Sequence, residues 1–260
     1  MTRDVKVHLL PTLFEPEEVR GGIAVIIDVL RASTTIVHAL ANGAREVIPC
    51  RTVDEARGIS AGYPPGAVLM GGEREGLLIE GFDLDNNPFA YSRGVVNGKT
   101  LIFTTSNGTK ALLRADQADR VLVGSFVNLQ AIVNLLVDDW SRPIHLICAG
   151  TKGKITLEDS LCAGAIAQRL LAATEDPEEE WNDDQLRLAM TTYCFWSSSP
   201  GLFDRAMRSS FGGRNCTRLG FDSQIERAAT CDLFDLVPEY DPTTRTITAR
   251  FSRQDCIEQI

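Results

Sequence analysis

A short apolar run that ends on a polar turn and then opens a helix recurs along this chain. IAVIIDV (23–29) is apolar at almost every position and rich in β-branched residues, as a strand buried on both faces should be. STTIVHALAN (33–42) follows as a helix, with Ile36 and Leu40 on one face and Asn42-Gly43 as its stop. EVIPC (46–50) reads as the next strand, and Thr52 stands three residues before Glu55, the spacing of a capping box. The form returns in KTLIFTTSNGTKALL (99–113) and RVLVGSF (120–126) with NLQAIVNLLVDDW (128–140), where Asn128 is the expected cap. It returns again in PIHLICAGTKGKITLEDSLCAGAIAQRLLA (143–172), while VKVHLLP (5–11) and AVLMGG (67–72) add strands. Such repetition predicts an α/β fold of strand–loop–helix units, with a largely parallel or mixed sheet and helices on both faces. The 260 residues suffice for one domain, or for two similar lobes at 1–98 and 99–260.

Other segments depart from this rhythm. Residues 73–98 are irregular and rich in Gly, Asp and Asn; a long irregular segment inside a compact domain is more often functional than idle. TEDPEEEWNDD (174–184) reads as an acidic, solvated surface insertion. Helices are expected over 186–211 around the turn SSSPG, and a strand pair over 234–251 with its turn near Asp241-Pro242.

Lys and Arg total 26 against 35 Asp and Glu, a net charge of −9. That argues against nucleic acid as a partner, but not against an anionic substrate, because one pocket can be positive on an acidic protein. The seven cysteines include no CxxC pair, so reduced, mostly buried thiols are expected rather than disulfides or zinc. There is no signal-peptide core at MTRDVKVHLLP and no run approaching the roughly 18 apolar residues of a membrane span. A cytoplasmic location is the expectation.

Four turns could carry chemistry. DVLRAST (28–34) puts an acid, a guanidinium and hydroxyls together. Ser33 or Thr34 caps a helix here, or the helix N-terminus and Arg31 bind phosphate or sulfonate; a carboxylate ending a buried strand needs a partner, which favours chemistry. GGEREG (71–76) is an ordinary tight turn, or one whose Glu73 reaches a metal. TTSNGTK (104–110) is an Asn-Gly turn with a Thr cap, or an anion site of backbone N–H groups. AGTKGKITLEDSLCAG (149–164) sets two lysines on a glycine loop, and its Glu158-Asp159 either favours the helix dipole or binds Mg2+.

Several chemistries are disfavoured. His8, His38 and His145 fall within predicted strands or mid-helix, so structural roles are expected. GxSxG, GxxxxGK[ST] and a strand-linked GxGxxG are missing. Haloacid-dehalogenase phosphatases also place a nucleophilic Asp after a strand, but their second Asp, two residues on, is Leu30 here.

Taken in order, DVLRASTTI (28–36), GGEREG (71–76), GFDLDNNP (81–88), TTSNGTKAL (104–112) and AGTKGKITLEDSLCAG (149–164) resemble the 2-phosphosulfolactate phosphatase family, over roughly residues 5–170. The resemblance implies Mg2+-dependent hydrolysis of 2-phospho-3-sulfolactate, or a related 2-phosphorylated hydroxy acid, to 3-sulfolactate and phosphate. In methanogens that step belongs to coenzyme M biosynthesis. On this reading Asp28, Arg31 and Glu73 are catalytic, and Asp28, Glu158 and Asp159 hold the metal, with Glu73 as a further ligand. Ser33, Thr34, Thr105, Ser106, Asn107, Gly108 and Thr109 bind the anionic groups, together with Gly150, Thr151, Lys152 and Lys154. LGFD (219–222) and Val237-Pro238 fit the family, but Phe211 stands where members often carry histidine. That departure sustains the alternative of a non-catalytic or degenerate small-anion-binding paralogue. The expected partner is a small anionic phosphorylated substrate, with no nucleic acid and no membrane; a homodimer is common for enzymes of this size.

Overall fold

The computed structural model describes residues 4–173 and 183–251. In chain order these form β1 (Val5–His8), β2 (Ile23–Ile27), α1 (Ala32–Ala41), β3 (Glu46–Cys50), α2 (Val53–Ser60) and β4 (Val68–Gly72). Next come α3 (Arg93–Val96), β5 (Thr100–Thr104), α4 (Gly108–Arg114), β6 (Arg120–Gly124), α5 (Leu129–Asp138), β7 (Ile144–Cys148) and α6 (Leu157–Ala172). Four helices follow, α7 (Asp184–Trp196), α8 (Pro200–Ser209), α9 (Phe211–Arg218) and α10 (Asp222–Ala229), then a hairpin of β8 (Leu236–Asp241) and β9 (Thr246–Phe251).

The described strands form one sheet in the order β1-β7-β2-β6-β8-β9-β3-β5-β4. β1, β7, β2 and β6 make one parallel block; β3, β5 and β4 make another. The antiparallel hairpin β8–β9 joins them, pairing with β6 on one side and β3 on the other. The blocks interleave segments 1–98 and 99–260: β5 lies between β3 and β4, while β6 and β7 flank β2.

Strand periodicity explains the layering. Ile23, Val25 and Ile27 of β2 enter one core with Ile132 of α5, Ile166 of α6 and Leu186 of α7. Ala24 and Ile26 enter a second core with Val37 of α1 and Ala111 of α4. Alternate residues serve opposite faces, so the whole strand is buried, each large aliphatic contributing about 1.5–3 kcal/mol. The second core also contains Val47 and Phe103 from the other block. The sheet therefore curls around α1 and α4. This brings the carboxyl ends of β2 and β5 together, although four strands lie between them in the order.

Local signals hold with some changes. Thr52 caps α2, accepting from Glu55 N at 3.0 Å, but Glu55 reaches back to Arg51 N at 2.7 Å. Thr52→Ala is expected to cost about 1 kcal/mol, read as a lower urea midpoint at unchanged m-value. Asn128 precedes α5 without capping it; its Oδ1 accepts from Ser125 N at 2.9 Å and its Nδ2 donates to Val123 and Leu236 carbonyls. Residues 174–182 of the acidic stretch lie outside the described residues. Asp183 is not freely solvated: it caps α7, accepting from Gln185 N at 2.7 Å, and also accepts from Val7 N at 3.1 Å. His8 and His145 stack, sharing a 3.0 Å hydrogen bond, and His38 is buried against Phe234. Burial lowers the proton affinity of all three. Cys50, Cys148, Cys162 and Cys216 are free and buried, Cys194 and Cys231 free and exposed. No described helix is long and apolar enough to cross a membrane.

Candidate active site

Asp28 follows β2 at the carboxyl edge of the sheet, where open α/β folds bind ligands. It is 8% exposed, and its Oδ1 accepts from Ala32 N at 3.3 Å. The carboxylate, rather than a hydroxyl, thus faces the first turn of α1. Arg31 sits at the cap position and makes no side-chain cap bond. The helix starts one residue before Ser33, which overturns the expected caps. Ser33 Oγ accepts from Asp28 N at 2.9 Å and donates to Ile26 O at 3.3 Å. Thr34 Oγ1 meets Val29 O and Ser125 Oγ, both at 2.8 Å. Both hydroxyls pin the turn, and neither residue lines the cleft described below.

The start of α4 presses against Asp28. A Cβ on Gly108 would stand 2.8 Å from Asp28 Oδ2, so this close approach requires glycine. Burial raises the Asp28 pKa to about 8, and the charges of Asp159 and Glu73 push the same way.

Asp159 is spoken for. Its Oδ1 accepts from Val29 N at 2.9 Å; its Oδ2 accepts from Gly150 N at 3.0 Å and Thr156 Oγ1 at 2.9 Å. It ties the turns after β2 and β7 to the start of α6, and burial, then the Glu158 charge, raises its pKa to about 7. Glu158 Oε1 accepts from Gly212 N at 2.8 Å. Burial raises its pKa too. Glu73 bridges two loops: Oε2 accepts from Gly76 N at 2.7 Å and Oε1 from Ser106 N at 2.9 Å. Arg31, 6% exposed, donates from Nη1 to Gln224 Oε1 and from Nη2 to Gly76 O, each at 2.7 Å, with Phe221 stacked 5.1 Å away.

A cleft of about 220 Å³ opens over these groups. Asp28, Arg31 and Glu73 line it, as do Thr105, Ser106, Asn107, Thr151 and Lys152. Glu158 and Asp159 lie behind its wall, Gly150 in the turn below Asp159, and Thr109 beside a smaller void shared with Gly108. Lys154 is exposed outside the cleft, its backbone paired with Thr151. Asn86, and Gly212, Asn215 and Arg218 of α9, also stand on the cleft wall, at positions not expected there from the sequence. Asn86 Oδ1 and Thr105 Oγ1 are buried there without a hydrogen-bond partner among the described residues, and such atoms seek a ligand or water.

The donor set bears on a divalent cation. Mg2+ is commonly held by one or two carboxylates, completed by waters and phosphate oxygens. Asp28 and Glu73 line the cleft together and fit that pattern. Asp159 does not, because it is absent from the cleft lining and three N–H and O–H donors share its oxygens, whereas each Glu73 oxygen accepts a single N–H and keeps a lone pair. No described group of three or more His, Cys, Asp or Glu residues is arranged to hold a metal alone, so substrate and water oxygens would have to complete the shell.

Comparison with known proteins identifies the family. The sequence profile described as 2-phosphosulpholactate phosphatase matches residues 8–243. A protein of Deinococcus radiodurans named probable 2-phosphosulfolactate phosphatase is 38% identical over 239 residues, 92% of this chain and 93% of the relative. One of the same name from Caldicellulosiruptor saccharolyticus is 36% identical over 225 residues, 85% of this chain and 90% of its own. A third, from Symbiobacterium thermophilum, is 37% identical over 228 residues, with 86% and 93% covered. The match runs through the turns that build the cleft and through α9, and the chain belongs to the 2-phosphosulfolactate phosphatase family of phosphoric monoester hydrolases.

Proposed function

We propose that the protein is a Mg2+-dependent phosphatase that hydrolyses 2-phospho-3-sulfolactate, or a related 2-phosphorylated hydroxy acid, to the hydroxy acid and phosphate. The mixed charge of the cleft carries the reading: Asp28 and Glu73 line it together with Arg31, Lys152 and Arg218. A compact polyanion calls for both, cations for its fixed anionic groups and carboxylates for a metal at the phosphoryl group. The volume of about 220 Å³ falls below the roughly 300–1,000 Å³ of pockets for drug-sized ligands, which suits a short-chain acid.

Asp28 and Glu73 would hold Mg2+, which supplies charge neutralisation at the phosphoryl oxygens and acidifies bound water. Arg31 grips a phosphate or sulfonate with its planar fork. Thr105 Oγ1 donates to a substrate oxygen, meeting its own unfilled hydrogen bond. Phe211 on the cleft wall offers no titratable group; Asp28 is the base assigned here, accepting a proton from the attacking water. The water oxygen bonds to phosphorus, the ester P–O bond breaks, the leaving alkoxide takes a proton from solvent, and Asp28 returns its proton to solvent. Phosphate release from 2-phosphorylated hydroxy acids, with and without Mg2+, tests the proposal. Full activity after exhaustive chelation overturns the metal, and silence across the panel favours the small-anion-binding alternative.

Stability should report the same carboxylates. Burial raises the pKa of Asp28 to about 8 and that of Asp159 to about 7, against about 3.9 in an unfolded chain. The folded state then holds protons that the unfolded state releases, so stability falls as pH rises through that interval. The buried histidines have lowered pKa values and act in the opposite sense, but below their unfolded pKa of about 6.5. Between about pH 6.5 and 8.5 the metal-free melting temperature is therefore expected to drop. Mg2+ should lessen the drop by neutralising the ionised groups; a flat profile in chelator contradicts it.

A further inference from the structure

Arg31 is held in an unusual way. Arg120, Arg169 and Arg245 each donate to a carboxylate at 2.8 Å. Arg31 is more buried than these, yet its two hydrogen bonds go to an amide oxygen and a backbone carbonyl, neither of which supplies a counter-charge. Among the described residues no carboxylate pairs directly with Arg31, although Asp28 and Glu73 line the same cleft; burying a guanidinium without a direct partner is costly, so the arrangement favours an anion bound beside it.

We propose that Gln224 is a positioning residue that aims the Arg31 guanidinium into the cleft while leaving its charge uncancelled for an anionic group of the substrate. The proposal rests on the reading of the cleft as a polyanion site. Gln224 lies on the buried face of α10, 3% exposed. The carboxylates on either side of it, Asp222 and Glu226, are engaged by Arg208 at 3.0 and 2.8 Å. The helix thus sorts its groups, acids toward Arg208 and the neutral amide toward Arg31. The second acceptor, Gly76 O, belongs to a residue whose own N–H is tied to Glu73 at 2.7 Å. With Phe221 stacked on the guanidinium, the fork is fixed from two edges and one face. A carboxylate at position 224 would make a stronger hydrogen bond but would compete with the substrate for the same charge.

Gln224→Glu and Gln224→Met in the full chain test this, with Mg2+ present. The measurements are steady-state phosphate release, calorimetric binding of inorganic phosphate, and melting temperature. Gln224→Glu is expected to melt at or above the wild-type temperature, yet to bind phosphate about 10- to 100-fold more weakly, with the loss mainly in KM. Gln224→Met keeps the charge but loses the aim, so kcat should fall more than phosphate affinity. Wild-type KM and phosphate affinity in Gln224→Glu overturn the proposal, as do losses in both variants that merely track lowered melting temperature. Wild-type protein that binds phosphate in a Gln224-dependent way but hydrolyses no ester upholds the positioning role and overturns only the phosphatase reading.

Discussion

Asp28→Asn is expected to eliminate phosphate release while leaving the protein folded and, above about pH 8, more heat-stable than the wild type. The isosteric amide can still accept from Ala32 N, and with its NH2 toward Gly108 it gives up only the weaker of the two backbone contacts, the Gly108 N–H bond on the far oxygen. What disappears is a buried negative charge opposed by Asp159 and Glu73. Removing a charge that burial and like neighbours disfavour relieves the native state, most where the carboxyl would be ionised. Function moves the other way. A neutral amide neither accepts the proton of the attacking water nor binds a hard cation as tightly, and a loss of at least about 10³-fold in kcat follows from removing a charged group at the reacting centre. Opposite shifts of stability and activity in one variant would mark Asp28 as a functional carboxylate. Near-normal phosphate release from it would exclude Asp28 from the chemistry.

Much of this arrangement was legible because the chain repeats one local instruction. Runs such as IAVIIDV and TLIFT are buried on both faces, and that burial leaves a strong compositional trace. The polar turns behind them were legible as candidates for the same reason: each stands at the carboxyl end of a strand. Which side chain in a turn does the work was not legible, because hydroxyls and carboxylates also serve the backbone. Ser33 and Thr34 look like anion ligands in sequence, yet backbone N–H and C=O groups take them. Glu158-Asp159 looks like a metal pair, yet Asp159 is a tie between turns and Glu158 fastens α9 through Gly212.

The rest depended on long-range geometry. The hairpin over 234–251 is a local signal, but its insertion between β6 and β3 is not, since no short pattern encodes where a hairpin docks. Asn86 sits in the irregular segment, where nothing periodic marks an inward-facing residue; the GFDLDNNP motif was the one signal that pointed there. α9 and α10 are polar overall, and the residues they bring to the cleft and to Arg31 come from the far end of the chain. Gln224 is 193 residues from the arginine it orients.

That distant support makes the second large prediction specific to shape as well as charge. Arg31→Met removes the guanidinium and leaves Gln224 Oε1 and Gly76 O buried without their donor, costing about 1–3 kcal/mol of stability for each acceptor left unsatisfied. Its kcat/KM is expected to fall on the order of 10³-fold, as when a transition-state arginine is lost in phosphoryl transfer. Arg31→Lys is the sharper test. An ammonium keeps the charge but is a compact point on a flexible stem. It cannot meet Gln224 and Gly76 along separate edges while stacking on Phe221 and still present a planar face to the cleft. A loss of about 10²-fold in kcat/KM is expected, since misplacement near the chemistry by about 1 Å has that effect. If Arg31→Lys instead retains wild-type kcat/KM, charge alone suffices at this position, and the fork held by Gln224 has no part in catalysis.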